Sequence, residues 1–347
     1  MEKSRKTSVG IIGLGIIGSR IATTLRRHGH PVLVWNRSPR AEPNFLSSAR
    51  EVAESADVLQ LFVSNGEALL EVIRAMGTAL GESHIVMNHA TVGPAETLEA
   101  ARLVNERGAA FLDAPFTGSR DAAAEGQLIY YIGGDEAVLG RAFPVLEASA
   151  KAILHMGPVG AATYVKVATN MISASQIEVL AEALALLDRG GVPLQRLQEA
   201  LEHNVANSGA IAAKLPLMLT GDFDPRFSVK NMLKDLQIAL HSVEGKGIDL
   251  PATAATAGAL MGAVQAGWGE DDFASLARHY AYAGSVKDLS LSPAASASSA
   301  SSPLVVRGGS EEALRVAKAV KGEALPPWKK SFFGLFGRSG SDSKATA

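Results

Sequence analysis

The chain has 347 residues, a formal net charge of -2 and an apolar fraction of 47%, which is enough for two domains with buried cores and excludes disorder of the whole chain. This charge balance offers no general attraction to nucleic acid or anionic lipid, so any anion must be bound by a local group of residues. The absence of cysteine excludes disulfides, thiolate metal sites and cysteine nucleophiles. It fits a reducing compartment, and we expect a cytoplasmic protein.

The N-terminal stretch "MEKSRKTSVGIIGLGIIG" imitates the basic and apolar regions of a secretory signal. Its apolar run is interrupted by four glycines, at positions 10, 13, 15 and 18, and is followed by Arg20, which favours mature structure instead. No uninterrupted apolar segment reaches the roughly 18 residues of a membrane span. We therefore expect no membrane span.

Short β-like runs alternate with helical stretches from residue 9 to about 156, which predicts βαβ units in a largely parallel sheet. The predicted strands are "VGII", "VLVW", "VLQLFV", "IVMNH", "AFLDAP", "LIYYIGG" and "AILHMG". We therefore expect an α/β fold with a largely parallel sheet in this part of the chain.

From Thr163 to Arg189 no proline or glycine interrupts the chain, and apolar residues lie nearly all round the predicted helix. A glycine pair then ends it. This pattern predicts a long, mostly buried helix, and further helical segments follow it up to about residue 287.

The composition changes at residues 290–347. The tract "LSPAASASSASSP" is of low complexity and cannot form a core, so we predict a linker and a disordered tail. The basic aromatic stretch "PPWKKSFFGLFGR" leaves open a contact with a partner or a membrane surface.

Gly13, Gly15 and Gly18 form G-x-G-x-x-G between a predicted strand and a predicted helix. In this context the glycines permit a tight turn, close approach of a pyrophosphate and close helix packing. The helix N-terminus then receives the phosphate charge. The motif predicts a dinucleotide site formed by Gly13, Leu14, Gly15, Ile16, Ile17 and Gly18.

The second strand ends in Asn36, Arg37 and Ser38, where an NAD enzyme commonly has an Asp or Glu for the ribose hydroxyls. A guanidinium can bind a 2′-phosphate in a bidentate fashion. We therefore predict NADP (NADPH) as the coenzyme in preference to NAD.

Four segments in order resemble the β-hydroxyacid dehydrogenase family: the glycine motif, "DAPFTGSRDAAAEGQL" (113–128), "GPVGAATYVKVATN" (157–170) and "KDL" (234–236). More narrowly, the chain resembles the glyoxylate and succinic semialdehyde reductase branch. The resemblance covers about residues 8–287. It implies an N-terminal Rossmann-type doubly wound sheet over residues 1–162, then a long interdomain helix and an all-α C-terminal domain over residues 163–289. It also implies an active site in the cleft between the two domains.

The resemblance also implies roles for particular residues. Thr117, Gly118 and Ser119 occupy the places of the family's substrate-anchoring motif, with Phe116 in place of the usual valine. Thr91 falls in the segment that passes beside the nicotinamide. Val63 and Ser64 fall near the adenosine and phosphate side of the cofactor.

Lys166 and Asn170 are four residues apart and therefore project from one helical face. The resemblance implies that Lys166 is the catalytic acid/base and that Asn170 orients the substrate. An ammonium suits a carbonyl reduction, because it stabilises the developing oxyanion and donates a proton. Lys234 is expected to face the cofactor or substrate, Asp235 to orient it, and Phe227 and Lys230 to line the pocket.

These observations predict an NADPH-dependent reductase of a small aldehyde or keto acid, such as glyoxylate or succinic semialdehyde. Two alternatives stay open: a 3-hydroxyisobutyrate or tartronate semialdehyde type dehydrogenase, and a non-catalytic dinucleotide-binding protein. No metal site is expected, because the histidines show no ligand spacing. The predicted partners are a small carboxylate substrate and further copies of the chain, as a dimer or tetramer, and no nucleic acid.

Overall fold

A computed structural model describes residues 6–280, in which strands and helices alternate before the chain becomes entirely helical. The predicted tail at 290–347 lies outside the described residues. The strands are β1 (Val9–Ile12), β2 (Val32–Trp35), β3 (Val58–Leu61), β4 (Ile85–Asn88), β5 (Ala110–Asp113), β6 (Phe116–Thr117), β7 (Leu128–Gly133) and β8 (Ala150–Gly157).

The helices of the first half pack on the sheet, and those of the second half pack mainly on one another. The first six helices are α1 (Gly18–Arg27), α2 (Ala49–Ser55), α3 (Gly66–Met76), α4 (Pro94–Asn105), α5 (Arg120–Ala124) and α6 (Glu136–Glu147). The others are α7 (Ala161–Arg189), α8 (Gln195–Glu202), α9 (Gly209–Thr220), α10 (Val229–Ser242) and α11 (Pro251–Gln265). Short 3₁₀ helices cover Gly77–Ala79 and Phe273–Tyr280.

The sheet has the order β2-β1-β3-β4-β5-β7-β6, with β8 paired to β7. Strands β1 to β5 are mutually parallel, so their carboxyl ends meet at one edge of the sheet. The chain reverses its direction of winding between β2 and β3, which flank β1. Ligands of open α/β sheets bind at such a switch point.

The predicted Rossmann-type doubly wound sheet is confirmed, with two local differences. Strand β7 runs antiparallel to β5, and the two strands pair at Asp113 and Gly133. Strand β6, which pairs with β7, has only two residues and was not predicted. A run of two residues is too short to show the alternation of apolar and polar residues that identifies a strand in the sequence.

Both faces of the sheet are buried. One face packs with α1 and α6 around Ile11, Met87 and Tyr130. The opposite face packs with α2, α3 and α4 around Leu59, Val86 and Phe111. Burial on both faces explains why the strands are continuous apolar runs.

Helix α7 begins at Ala161, two residues before the predicted start, and ends at Arg189 as predicted. It packs against the sheet and against α9, α10 and α11. It is buried along one side only, because Ile172, Val179 and Leu186 are 60%, 61% and 72% exposed. Within residues 6–280, α7 alone has the length and composition of a bilayer span. Its packing within the folded domain accounts for the apolar residues of its buried side.

One buried polar side chain in the sheet lowers the free energy of unfolding. Gln60 on β3 is fully buried, and neither of its side-chain polar atoms has a hydrogen-bond partner among the described residues. A buried unsatisfied polar group costs about 1–3 kcal/mol. Replacing Gln60 by methionine, which is similar in volume, is therefore expected to raise the free energy of unfolding by about 1–2 kcal/mol.

Urea denaturation of the two proteins measures this difference. Leu59→Met is the matched control on the same strand, since it changes the shape of a side chain in the core on the other face of the sheet and removes no polar group. This control is expected to be neutral or slightly destabilising. A loss of stability in Gln60→Met would mean that the amide has a bound water or another partner.

Candidate active site

The turn between β1 and α1 has the geometry of a dinucleotide cradle. Gly13 has a φ of +100°, and a Cβ there would lie 2.1 Å from the carbonyl oxygen of Phe62. A Cβ on Gly18 would lie 2.0 Å from the oxygen of Gly13. At Gly15 no atom lies within 4 Å of an added Cβ, so this position opens outward. The first and third glycines thus close the turn, while the second leaves room for a ligand.

One backbone N–H group of this turn donates within the protein, and the next three have no acceptor among the described residues. The N–H of Leu14 donates to Asn36 Oδ1 at 2.9 Å, and the Leu14 side chain is fully buried. Gly15, Ile16 and Ile17 donate to no acceptor within residues 6–280, and Ile17 precedes α1 without a side-chain cap. Three free N–H groups at a helix N-terminus fit the pyrophosphate of a dinucleotide.

The end of β2 braces the same turn. Asn36 accepts from Leu14 and donates through Nδ2 to the carbonyl oxygen of Ser38 at 2.8 Å. Arg37 is exposed, and its guanidinium makes no hydrogen bond or ion pair with the rest of the described chain. Asn36, which is bonded to the glycine turn, and the free guanidinium of Arg37 therefore occupy the place of a ribose-binding carboxylate.

The other predicted cofactor residues follow the carboxyl ends of the next two strands. Val63 is half-buried after β3, where it packs against the core, and Ser64 is exposed. Thr91 is half-buried three residues after β4, in the segment that leads to α4. All three lie on the same edge of the sheet as the glycine turn.

The predicted substrate anchor forms a tight turn between β6 and α5. Thr117 pairs with Ile129 on β7, and Gly118 has a φ of +140°. Ser119 caps α5, because its Oγ accepts from the N–H of Ala122 at 3.2 Å. The hydroxyl proton of Ser119 is left to donate to a ligand, which suits recognition of a carboxylate.

Phe116 packs inward from this turn. Its ring lies 6.2–6.5 Å from the rings of Phe62, His89 and Tyr130, and His89 stacks on Phe62 at 4.6 Å. The aromatic cluster accounts for the phenylalanine at a position where the family usually has valine. Burial lowers the pKa of His89 to about 4, so this imidazole is neutral near pH 7 and is no proton donor to the site.

A chain of hydrogen bonds links the two halves of the protein around Lys166. Its ammonium donates to Asn170 Oδ1 at 3.0 Å, and Asn170 Nδ2 donates to Asp235 Oδ2 at 2.6 Å. Lys234 donates to Asp235 Oδ1 at 2.7 Å and also to the carbonyl oxygen of Thr91. The network therefore runs from α7 through α10 to the loop after β4.

The network carries an excess positive charge. Two ammonium groups and one carboxylate leave one positive charge, and Lys166 and Asp235 are only 8% and 1% exposed. Burial lowers the pKa of Lys166 to about 8, while the charge of Asp235 opposes this shift and that of Lys234 adds to it. An ammonium with such a pKa is protonated near pH 7 and can still release its proton.

Two residues expected to line the pocket make other contacts. Lys230 lies on α10, where it is exposed and pairs with Glu270. The ring of Phe227 packs edge-on against Phe273 at 6.3 Å. The ring contact of Phe227 and the ion pair of Lys230 thus both lie within the helical half of the chain. His155, near Lys166 in sequence, lies within β8 and bonds to the carbonyl oxygen of Gly134 at 2.8 Å.

A second buried cluster, which was not predicted from the sequence, consists of Asp113, Thr163 and Thr97. The Asp113 carboxylate accepts from the N–H groups of Gly160 and Thr163 at 3.2 and 2.9 Å, and from the Thr163 hydroxyl at 3.0 Å. The Thr163 hydroxyl lies 3.1 Å from that of Thr97. Two features of the sequence could have indicated this cluster. An aspartate opens the "DAPFTGS" segment, and Gly160, which precedes α7, has no side chain with which to cap that helix.

Comparison with known proteins gives the ancestry of this arrangement. Residues 8–157 match the NAD binding domain of 6-phosphogluconate dehydrogenase, and residues 160–280 match the NAD-binding domain of NADP-dependent 3-hydroxyisobutyrate dehydrogenase. The 2-hydroxy-3-oxopropionate reductase of Escherichia coli (strain K12) is 33% identical over 71% of this chain and 87% of its own. The chain belongs to the β-hydroxyacid dehydrogenase family.

Other relatives agree with this assignment. Glyoxylate/succinic semialdehyde reductase 1 of Arabidopsis thaliana is 29% identical over 77% of this chain and 96% of its own. The structure of Mycobacterium tuberculosis 3-hydroxyisobutyrate dehydrogenase with L-serine has a TM-score of 0.74 and 28% identity, covering 79% of this chain and 99% of that one. This β-hydroxyacid dehydrogenase is thus an NAD(P)-dependent oxidoreductase acting on CH–OH groups.

No group of three or more potential metal ligands occurs within the described part of this β-hydroxyacid dehydrogenase. The buried polar groups of the Lys166 network are an ammonium, an amide and a carboxylate, which are groups able to serve proton transfer and charge stabilisation. The donor set fits a nicotinamide coenzyme, which supplies the hydride when it is bound.

Proposed function

We propose that this β-hydroxyacid dehydrogenase reduces a small aldehyde or keto acid, of the size of glyoxylate or succinic semialdehyde, with NADPH. The observation that carries the proposal is the buried network of Lys166, Asn170, Asp235 and Lys234, with its net positive charge. A buried cation without a full countercharge costs stability, and a carbonyl reduction is the kind of reaction that uses one.

The residues act in a simple order in this proposal. Thr117, Gly118 and Ser119 hold the substrate carboxylate with hydroxyl and backbone donors. Asn170 orients the substrate beside Lys166, whose ammonium stabilises the negative charge that forms on the carbonyl oxygen. Lys166 then gives its proton to that oxygen, and solvent reprotonates the amine. The reverse reaction, oxidation of the hydroxy acid, needs the neutral amine as a base.

The geometry around the first two strands supports the cofactor roles in this proposal. The free N–H groups of Gly15, Ile16 and Ile17 would hold the pyrophosphate, and Arg37 with Ser38 would hold a 2′-phosphate. Thr91 and Lys234 would meet the nicotinamide end, since they are already joined by a hydrogen bond at the edge of the sheet.

A non-catalytic role as a dinucleotide-binding protein is disfavoured by the same network. A protein that only binds a dinucleotide gains nothing from a buried, nearly unpaired ammonium. The related dehydrogenases of 3-hydroxyisobutyrate and tartronate semialdehyde would use the same residues. The natural substrate is therefore a matter for direct assay.

The decisive test measures initial rates with glyoxylate, succinic semialdehyde, methylmalonate semialdehyde and tartronate semialdehyde, each with NADPH and with NADH. The proposal expects kcat/KM with NADPH to exceed that with NADH for the preferred substrate. Activity only toward substrates without a carboxylate would contradict the proposal. No activity with any carbonyl compound, in protein shown to bind NADPH, would favour the non-catalytic role.

The coenzyme preference depends on Arg37 in this proposal. Arg37→Asp is expected to raise the KM for NADPH about 10- to 100-fold, because a charge-assisted bond to phosphate is lost and a repulsion is added. The KM for NADH should change little or fall. The matched control is Arg107→Asp, which makes the same charge change at an exposed residue after α4. Retained NADPH preference in Arg37→Asp would contradict the coenzyme assignment.

A homo-oligomer, a dimer or tetramer, is part of the same proposal. The exposed apolar residues Ile172, Val179 and Leu186 are spaced seven apart along α7 and form one stripe. A stripe of exposed apolar side chains along one helix is typical of an interface with another protein surface. Sedimentation velocity of the full chain measures the subunit number.

A further inference from the structure

The carboxylate of Asp113 joins three parts of the candidate active site. It lies at the carboxyl end of β5, is fully buried, and accepts hydrogen bonds from the N–H groups of Gly160 and Thr163. It also accepts from the Thr163 hydroxyl, which contacts Thr97 on α4. Thr97 in turn donates to the carbonyl oxygen of Gly93, in the segment that follows Thr91. A single carboxylate thus ties α7, β5 and the β4–α4 segment together.

The bonded atoms lie close to Lys166 along α7. Thr163 and Lys166 are three residues apart, so they share a helical face and are separated by about 4.5 Å along the axis. Because Asp113 holds both the backbone and the side chain of Thr163, it sets how far α7 is inserted and how it is rotated. A rotation of α7 by one residue would turn the ammonium by about 100° away from Asn170 and α10.

The same strand leads directly to the substrate anchor. Only residues 114–116 separate Asp113 from Thr117, and β7 pairs with both β5 and β6. A Cβ on Gly133, which faces Asp113, would lie 2.8 Å from the oxygen of Pro158, so the sheet and the start of α7 are in close contact. The carboxylate therefore stands between the anchor turn and the helix that carries the ammonium.

We propose that Asp113 is a positioning residue, which fixes Lys166 relative to the Thr117–Ser119 turn through its bonds to the first turn of α7. This inference rests on the proposed reduction with Lys166 as proton donor.

Ordinary helix capping does not account for a buried carboxylate at this place. Asp135 caps α6 from an exposed position, with bonds to the N–H groups of Ala137 and Val138 that lie two and three residues away. Asp113 instead reaches Gly160 and Thr163 across 47 and 50 residues, and burial raises its pKa to about 6. Burying the Asp113 carboxylate costs desolvation free energy, and an exposed helix cap such as Asp135 does not incur that cost. That cost is explained if the bond holds two functional segments in register.

The test compares Asp113→Asn with Asp135→Asn in the full-length chain. Asparagine keeps the size of the side chain but places an amide donor against the N–H donors of α7. Asp113→Asn is expected to lower kcat about 10- to 100-fold per NADPH-binding site, with little change in KM or in the Kd for NADPH. Asp135→Asn loses only an exposed cap, so kcat should stay within about twofold of the parent.

Thr163→Val gives a second, milder variant, since it removes the hydroxyl and leaves both backbone bonds. Its effect on kcat should be smaller than that of Asp113→Asn. The double variant should be no worse than Asp113→Asn alone, because the hydroxyl acts through the same carboxylate.

A readout independent of activity is the pKa of Lys166, measured by NMR of the lysine side chains, with the signal assigned from Lys166→Ala. A displaced α7 exposes the ammonium, so in Asp113→Asn the value should rise from about 8 toward the ordinary 10.5. The charged groups that act on Lys166 are Asp235 and Lys234, and neither is changed in this variant.

Equal kinetics in Asp113→Asn and Asp135→Asn, with the pKa of Lys166 still near 8, would overturn the positioning role. Failure of the proposed function is a different result. There Lys166→Ala would leave turnover unchanged, and the NMR titration would still report whether Asp113 controls the surroundings of Lys166.

Discussion

Turnover is expected to fall about 10²- to 10⁴-fold when Lys166 is replaced by alanine, with the Kd for NADPH nearly unchanged. In the proposed mechanism, this variant loses both the proton donor and the positive charge beside the developing oxyanion. The glycine turn that would bind the coenzyme pyrophosphate lies on β1 and α1 and makes no hydrogen bond to Lys166. Steady-state kinetics and quenching of NADPH fluorescence measure the two quantities.

Two further substitutions sharpen this experiment. Lys166→Arg keeps a cation that does not release its proton, so it separates charge stabilisation from proton donation. It should retain more activity than the alanine variant and less than the parent. Lys230→Ala removes an exposed lysine of α10 paired with Glu270, and turnover should be unaffected. Full turnover in Lys166→Ala would remove the catalytic assignment.

The pH dependence of the parent enzyme carries the same information. In the proposed mechanism, reduction needs the ammonium form of Lys166, whose pKa is lowered to about 8 by burial. The kcat/KM for reduction should therefore be level below pH 8 and fall above it. The kcat/KM for oxidation of the hydroxy acid needs the neutral amine and should rise through the same range. The Lys166→Arg variant should lack this transition.

The second large effect is expected at Asp235, which is 1% exposed and accepts from both Asn170 and Lys234. Asp235→Asn removes the negative charge and replaces one acceptor oxygen by a donor. Only one of Asn170 and Lys234 can then keep an acceptor on this side chain, and kcat should fall about 10- to 100-fold through misplacement of the network. The variant should also be less stable, since breaking a buried ion pair costs about 3–5 kcal/mol and the partial exposure of Lys234 reduces this.

The sign of the pH shift distinguishes this role from a general loss of structure. The charge of Asp235 raises the pKa of Lys166, and that of Lys234 lowers it. In Asp235→Asn the fall in the reduction rate should therefore begin at a lower pH than in the parent. In Lys234→Met it should begin at a higher pH. Profiles that stay in place in both variants would show that the network does not govern the proton donor.

Much of the first half of the chain could be predicted from local pattern. Continuous apolar runs between helical stretches predicted the parallel strands, and G-x-G-x-x-G predicted the turn whose first glycine has a positive φ. The four-residue spacing of Lys166 and Asn170 predicted that they share one face, and their hydrogen bond is present. Each of these features depends on residues close together in sequence, whose periodicity or backbone freedom is visible in one segment.

The tertiary structure alone decided which distant groups meet. Asp235 is 65 residues from Asn170, and Asp113 is 50 residues from Thr163, so no local pattern could pair them. The same is true of Lys230, which pairs with Glu270, and of Phe116, whose ring joins His89 and Tyr130. The sequence by itself determined the elements, the glycine turn and the helical face of the ammonium, because backbone geometry repeats over a few residues. Packing between elements decided the partners of that ammonium and the carboxylate that holds its helix, because hydrogen bonds and burial depend on distance in space.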